Sequence, residues 1–404
     1  METEAGMRIG MMADAYKPHV SGVTHHISLT SQALTAAGQD VRIFTLGQEP
    51  DADDEPYVVR SPGVPLADSG FYLGFRYTKA ARRLLQSLDI VHVHHPFLSG
   101  RLALRYSRPV NLPVVFTNHS RYELMAQAYL PLVPDEVSET LLQTYLPAFC
   151  RQVDLIIVPS ASVRELLQDL GVEDRIEVIP NGVDLHPYLH AKALPRRELG
   201  FAESDVLLTY VGRLGPEKNL TMLLRAFAGV HAAFPETALL LVGDGPERDD
   251  LEERTRHAHL EERVRFVGMV DYARLPAYLA SCDAFVTASV SEVHPLSVIE
   301  ALASGLPVVG TRSPGIQDTV EDGQTGYLAT NDVAAYTAKL TRLVADPAGR
   351  KRMAEQARRA ATQYAIERTS GLLLEQYERV VRQGPRQRQS NWRVLWHRLA
   401  DPAL

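Results

Sequence analysis

The sequence predicts an α/β protein made of two doubly wound, Rossmann-like parallel-sheet domains. Three observations carry this. Short β-branched runs alternate with helix-length segments from about residue 8 to residue 310, and strands separated by crossover helices pair in parallel. Runs such as Leu155-Ile156-Ile157-Val158 and Leu239-Leu240-Leu241-Val242 are apolar throughout, as in strands covered on both faces. A single sheet holding every strand of this 404-residue chain would be unusually wide.

The elements follow in order. The first half reads as strand 8–12, helix 21–37, strand 41–45, helix 76–88, strands 90–94 and 113–117, a helical stretch 121–150, strand 154–158 and helix 162–170. The rhythm restarts with strand 206–211, helix 220–234, strand 238–242, helix 246–257, strand 264–267, helix 274–280, strand 284–287, helix 295–304 and strand 307–310. Pro295 suits the first position of its helix, where no N–H is needed. Helices 331–346, 348–363 and 367–382 close the chain ahead of an arginine-rich tail. The break between domains falls near Ile179-Pro180-Asn181-Gly182-Val183-Asp184 and the polar stretch through Pro195-Arg196-Arg197, giving domains 1–190 and 191–364.

Composition excludes several classes. Lys and Arg number 42 against 49 Asp and Glu, a net charge of −7, so bulk charge does not suit a nucleic-acid partner. Cys150 and Cys282 stand far apart in no CxxC pair, which excludes a disulfide scaffold and a zinc ribbon. The start is acidic, without a signal peptide's basic region, and no apolar run approaches the roughly 18 residues needed to span a bilayer. The expectation is a cytoplasmic protein with reduced thiols.

Two motifs carry chemistry. Gly212-Arg213-Leu214-Gly215-Pro216-Glu217-Lys218-Asn219-Leu220 follows a strand and opens a helix. Its glycines allow close approach to an anion, the helix end offers N–H groups, and Arg213 and Lys218 can hold a diphosphate. Alone, it reads equally as a surface turn with solvated charges. Ser291-Glu292-Val293-His294-Pro295-Leu296-Ser297-Val298-Ile299-Glu300-Ala301 sets one glutamate in a loop and another within a helix. Carboxylates there can accept sugar hydroxyls, or simply favour a helix start. Val242-Gly243-Asp244-Gly245-Pro246-Glu247-Arg248 has GxG but puts Arg248 where the dinucleotide fingerprint needs a third glycine. It reads as a strand-to-helix turn, and a dehydrogenase is disfavoured. His92 and His94 share a strand face near His95, but lack a metal-ligand pattern. His25 and His26 read as helix-surface or cleft-edge residues.

Together, in this order and spacing, the two motifs resemble the family 4 retaining glycosyltransferases of GT-B fold. Pro18-His19-Val20-Ser21-Gly22-Val23, Asp89-Ile90-Val91-His92-Val93-His94, Thr117-Asn118-His119 and Ile179-Pro180-Asn181-Gly182-Val183-Asp184 resemble further segments of that family. The resemblance spans about residues 7–380 and is nearest to the diacylglycerol glucosyltransferase and phosphatidylinositol mannosyltransferase branch. Ser21 departs from the glycine of many members, as is common in lipid-glycosylating branches.

The resemblance implies an N-terminal acceptor domain, a C-terminal nucleotide-sugar domain, and a segment 365–404 that returns to the first. It implies that Arg213 and Lys218 bind the donor diphosphate and stabilise its departure. Glu292 and His119 would contact the transferred sugar, and Glu300 would hold the ribose. It also puts Gly22, Val267, Pro295, Leu296 and Ser297 at the donor, and Ser21 and Tyr122 at the acceptor. No protein nucleophile, metal or cofactor is implied, because the cations do a metal's work.

The acceptor is less defined. Phe71-Tyr72-Leu73-Gly74-Phe75-Arg76-Tyr77 leads into Lys79, Arg82 and Arg83, which suits an anionic membrane or an ordinary amphipathic helix. Asn118-His119-Ser120-Arg121-Tyr122-Glu123-Leu124, with Tyr129 beyond, resembles diacylglycerol glucosyltransferases. From Arg379 to Ala400 there are six arginines, no acid, and both tryptophans, Trp392 and Trp396. That tail reads as a membrane-interface segment or as a helix packed on the N-terminal domain. The expected reaction is hexose transfer from a nucleoside-diphosphate sugar to a membrane glycerolipid, peripheral to the inner membrane face. A soluble sugar or polyol acceptor, or a non-catalytic nucleotide-sugar-binding protein, are the alternatives.

Overall fold

The computed structural model describes residues 6–19, 21–47, 55–65, 71–122, 135–173 and 175–386. Strands β1 (Arg8–Met12), β2 (Asp40–Gly47) and β3 (Val58–Pro62) precede a small antiparallel hairpin, β4 (Val64–Pro65) and β5 (Tyr72–Leu73). Strands β6 (Ile90–Val93), β7 (Val114–Thr117), β8 (Leu155–Val158) and β9 (Ile176–Val178) follow. The first sheet runs β3-β2-β1-β6-β7-β8-β9, parallel throughout. The second holds β10 (Val206–Val211), β11 (Thr237–Val242), β12 (Val264–Gly268), β13 (Ala284–Thr287), β14 (Val308–Thr311) and β15 (Gly326–Ala329). Its order is β12-β11-β10-β13-β14-β15, again parallel. Two doubly wound sheets are thus present, as the sequence predicts.

The helices are α1 (Gly22–Ala36), α2 (Lys79–Leu85), α3 (Leu98–Ser107), α4 (Asp135–Cys150), α5 (Ala161–Asp169), α6 (His186–Leu189), α7 (Leu220–Ala233), α8 (Arg248–His257), α9 (Leu275–Ala280), α10 (Leu296–Ser304), α11 (Pro314–Thr319), α12 (Val333–Ala345), α13 (Pro347–Ala361) and α14 (Ile366–Gln383). The helical stretch expected from residue 121 is described from Asp135, with 123–134 outside the described residues. Among the described residues no helix is long and apolar enough to cross a membrane.

Five strands escape the sequence pattern: the two of the β4–β5 hairpin, and β3, β9 and β15, each at the edge of a parallel sheet. Edge strands are short and tolerate Pro62, Arg60 and Gly326, which blur the apolar run. Helix α3 was also missed. Its Gly100 lowers helix propensity, yet a Cβ there would meet Phe149 Cε2 at 2.8 Å and the His95 carbonyl at 2.9 Å, so glycine is what lets α3 pack. Helix α11 begins at Pro314-Gly315, which reads as a turn.

The chain crosses between the sheets twice, and the two crossings touch. Val183 N–H donates to the Tyr364 carbonyl (2.9 Å), and Ile366 N–H donates to the Val183 carbonyl (3.0 Å). A Cβ on Gly182 would lie 2.1 Å from Thr369 Oγ1, so the glycine permits that approach. Beyond the crossing, α14 lays Leu373, Tyr377 and Val380 into the cluster of Ile9, Ile27, Leu34 and Ile43 on the first sheet. Arg379 pairs with Glu177 (2.8 Å), and Arg386 N–H donates to Asp154 Oδ1 (2.8 Å). These two arginines of the basic run are therefore tied to the first sheet. Residues 387–404, with Arg388, Trp392, Arg393, Trp396 and Arg398, lie outside the described residues.

Candidate active site

In each sheet the strand order reverses once, between β1 and β6 and between β10 and β13. Loops leaving such switch points bound the ligand crevice of doubly wound sheets. The sequence motifs lie on these loops: 13–19, Ser21 and His94 on one side, 212–219 and 288–295 on the other.

On the second sheet, Gly212 turns the chain with φ +154°, and a Cβ there would lie 2.7 Å from Tyr210 Oη. The 243–245 turn braces this loop. Gly212 N–H donates to Val242 O, Leu214 N–H to Asp244 O and Glu247 N–H to Leu214 O, at 2.9–3.0 Å. A Cβ on Gly243 would lie 2.0 Å from Gly212 O, and one on Gly245 2.4 Å from Leu214 O. The failed dinucleotide fingerprint is thus a backbone buttress for the Gly212-Arg213-Leu214-Gly215 loop.

A 3₁₀ turn, Pro216–Lys218, and a left-handed Asn219 lead into α7, so Lys218 stands just before the α-helix. Lys218 Nζ lies 2.6 Å from Glu292 Oε1, both side chains about one-fifth exposed. Burial opposes both charges, but each holds the other ionised: Lys218 is raised and Glu292 lowered from the ordinary values. Arg213 is exposed and reaches Glu217 Oε1 at 3.3 Å, leaving its guanidinium open to solvent. Ser289 and Ser291 hydroxyls donate to the Glu217 carbonyl, at 3.3 and 3.4 Å, and fix the glutamate loop against the glycine loop.

Pro295 is the N-cap of α10 (φ −74°, ψ 121°), one residue before the position expected for it, and no side chain caps that end. Leu296 and Ser297, half-buried, form the first turn. Glu300, 3% exposed, accepts from Tyr272 Oη at 2.8 Å. Burial pushes its carboxyl up to about 7, against the lowering effect of hydrogen bonds from Tyr272 and Tyr188. Val267, half-buried near the end of β12, packs against the second-sheet core.

On the first sheet, Ser21 caps α1 by accepting from Thr24 N–H (3.1 Å), and open space faces the place of a Gly22 Cβ. His119, just after β7, lies with Nε2 2.9 Å from His94 Nδ1. Its ring centroid is 4.8 Å from that of His26. His26 is buried, not on the helix surface as expected, whereas His25 does stand at the cleft edge. The His92 ring packs at a tilt against His94 (4.2 Å between centroids, 37° between planes) and hydrogen-bonds Tyr377 Oη and Thr117 Oγ1 (2.5 and 2.6 Å). Tyr122 is buried edge-on to Phe97, 5.4 Å between centroids.

The two half-sites meet across the cleft. The His25 ring packs on Tyr272 at 4.0 Å, and Asn181 Nδ2 donates to His294 O at 2.9 Å. Sequence reasoning missed Tyr272, Tyr188 and the inward position of His26. The last had a signal, since His26 precedes Ile27 on the buried stripe of α1; Tyr272 had none. Among the described residues, one group has metal-ligand spacing, His26, His94 and His119.

The arrangement offers two cations and a helix start for a diphosphate, and two carboxylates for hydroxyls. Comparisons with known proteins agree with that chemistry. Residues 20–186 match the profile "Glycosyltransferase Family 4" and residues 191–360 match "Glycosyl transferases group 1". The chain is 32% identical to the alpha-monoglucosyldiacylglycerol synthase of Streptococcus pneumoniae, over 84% of this chain and 79% of that one. It is 29% identical to a glycogen synthase of Mycobacterium tuberculosis, over 98% and 100%. Among solved structures, Anabaena HepE in complex with UDP and glucose superimposes with a TM-score of 0.73 at 20% identity, over 93% of this chain and 100% of that one. The chain therefore belongs to glycosyltransferase family 4, on a GT-B scaffold, and transfers a sugar from a nucleotide-sugar donor.

Proposed function

We propose that this enzyme transfers glucose from UDP-glucose to the hydroxyl of a diacylglycerol-type membrane lipid, with retention of configuration and without a catalytic metal. The observation that carries the chemistry is the half-buried Lys218–Glu292 pair beside the Gly212–Gly215 loop. The donor diphosphate sits on that loop and on the start of α10, with Arg213 and Lys218 neutralising the charge that grows as it leaves. Glu300 replaces its Tyr272 contact with the ribose hydroxyls. Glu292 accepts from hydroxyls of the sugar, and His119 lines its other side. Glu292 is ion-paired with Lys218 and Glu300 is turned to the ribose, so neither carboxylate is poised as a nucleophile. The acceptor then attacks on the face the diphosphate leaves, and a phosphate oxygen takes its proton.

The acceptor reading rests on the N-terminal face. Phe75 is 79% exposed and Val64 68%, at and next to the β4–β5 hairpin. Lys79, Arg82 and Arg83 of α2 are exposed beside it, and Arg105 donates to the Phe75 carbonyl at 3.3 Å. Apolar tips among cations suit an anionic bilayer, at about 1 kcal/mol per basic residue near the surface. The name of the pneumococcal relative supports a glucosyl donor and a diacylglycerol acceptor, and UDP in the HepE complex supports the base. The glycogen synthase relative keeps a soluble glucan as the competing acceptor.

Radiolabelled UDP-glucose, offered in EDTA with diacylglycerol vesicles containing phosphatidylglycerol and separately with maltooligosaccharides, tests all three parts. The expected product is an organic-extractable α-glucoside, with a lower rate on neutral vesicles. Label only in the oligosaccharide overturns the acceptor, a β-product overturns retention, and a rate dependent on added Mn²⁺ overturns metal independence.

A further inference from the structure

We propose that His26, His94 and His119 form a binding site for a divalent transition-metal ion, zinc foremost, and that its occupation blocks sugar transfer. The three histidines come from different elements: α1, the residue after β6, and the residues after β7. One ring nitrogen from each lies within 4.8 Å of the other two. Tetrahedral zinc with nitrogen ligands at about 2.0–2.1 Å separates them by about 3.3 Å, so small side-chain movements close the set.

Two features argue that this is more than crowding. His26 Nδ1 and His94 Nε2 are buried without a hydrogen-bond partner, an arrangement that costs about 1–3 kcal/mol per group. A metal ion satisfies such an orphaned ring nitrogen in the tautomer that leaves its lone pair free. The three rings also pack on one another, His119 with centroids 5.1 Å from His94 and 4.8 Å from His26, and His26 5.9 Å from His94. Neutral imidazoles are the ligating form. An all-imidazole set selects zinc, copper or nickel over magnesium.

The neighbours fit outer roles. Both ring nitrogens of His92 are engaged, by Tyr377 and Thr117, so it backs His94 through ring contact alone. His95 Nδ1 accepts from Asp14 N–H. His119 is the half-exposed member, on the cleft side, which leaves the fourth metal position open to water. Bound metal would hold His119 away from the sugar. This inhibitory half rests on the sugar contact proposed above for His119; the binding half does not.

The test uses the full chain, stripped with EDTA and dialysed. Zinc is titrated against a chromophoric chelator, and cobalt(II) is followed by its visible bands. The expected result is one tight equivalent, a tetrahedral cobalt spectrum, and affinity lowered at least about 100-fold in His26→Gln and in His94→Gln. Circular dichroism verifies that those variants fold. X-ray absorption on the zinc-loaded wild-type protein needs no variant, and should show a shell of imidazole nitrogens. Absence of a tight equivalent, an oxygen-dominated shell, or zinc binding that survives in folded triad variants but falls in His190→Gln overturns the site. The His190 arm tests the alternative pair His186–His190, whose rings lie 4.7 Å apart. One equivalent of zinc should abolish transfer, with EDTA restoring it. Full activity in the loaded enzyme overturns the inhibitory half alone.

Discussion

Glu300 is built against stability, and replacing it separates its two roles. Its folded carboxyl titrates at about 7 against an ordinary 4.5. Between those values the folded chain binds more protons than the unfolded chain, so stability falls as pH rises. The full penalty is about 3 kcal/mol above pH 7 and is absent below pH 4.5. Glu300→Gln keeps the shape and removes the ionisation. The variant minus wild-type difference in unfolding free energy should therefore grow with pH, by about 2 kcal/mol between about pH 5.5 and pH 8.5. Taking differences at each pH cancels other groups, the buried histidines included. Donor binding should move the opposite way. Ribose hydroxyls bonded to a charged acceptor contribute about 1.5–3 kcal/mol, so the variant's donor KM should rise about 10–100-fold at pH 8. Urea unfolding at several pH values, with donor kinetics on the same preparations, reads both. A stability difference that is flat with pH, or that shrinks as pH rises, would refute the reasoning.

Lys218→Ala and Arg213→Ala should each lower kcat at saturating donor by about 10²–10³-fold, as for loss of a preorganised charge-stabilising group; near-normal turnover in either removes that residue from the leaving-group role. The glycines should split into two kinds. Gly243→Ala drives a Cβ to 2.0 Å from Gly212 O at φ +131°, so it should lower the melting temperature and raise donor KM together, whereas Gly22→Ala, with nothing within 4 Å of the added carbon, should leave melting unchanged and lose transfer because substrate needs the space.

Holding the site together depends on the two crossings of the chain. Val183 and Ala365 pair at the hinge, and α14 then covers the first sheet with Tyr377 fully buried. That same tyrosine bonds His92, whose ring packs against His94, which meets His119. The last helix therefore contributes to positioning His119, although it follows the whole second sheet in sequence.

How far the sequence reaches follows from the same contacts. Central strands such as Val206–Val211 and Ala284–Thr287 are mostly apolar and were legible to the residue, while the edge strands β3, β9 and β15 are broken by Arg60 and Pro62, Glu177 and Gly326. The loops of the site were legible because close backbone approach demands glycine, and because Lys218 and Glu292 fall on loops whose strands flank one switch point. Their pairing at 2.6 Å, across a sequence separation of 74, was not visible in spacing. Nor was the environment of Glu300, which depends on Tyr188 of α6 and Tyr272 ahead of α9, residues far apart in the chain. His26 shows the limit most clearly. It reads as one of two adjacent helix histidines, and becomes a buried partner of His94 and His119 only because β6, β7 and α1 converge at the switch point. A pattern of residue types identifies loops that meet a ligand; the charge state of a group in them is set by neighbours that only the folded topology brings near.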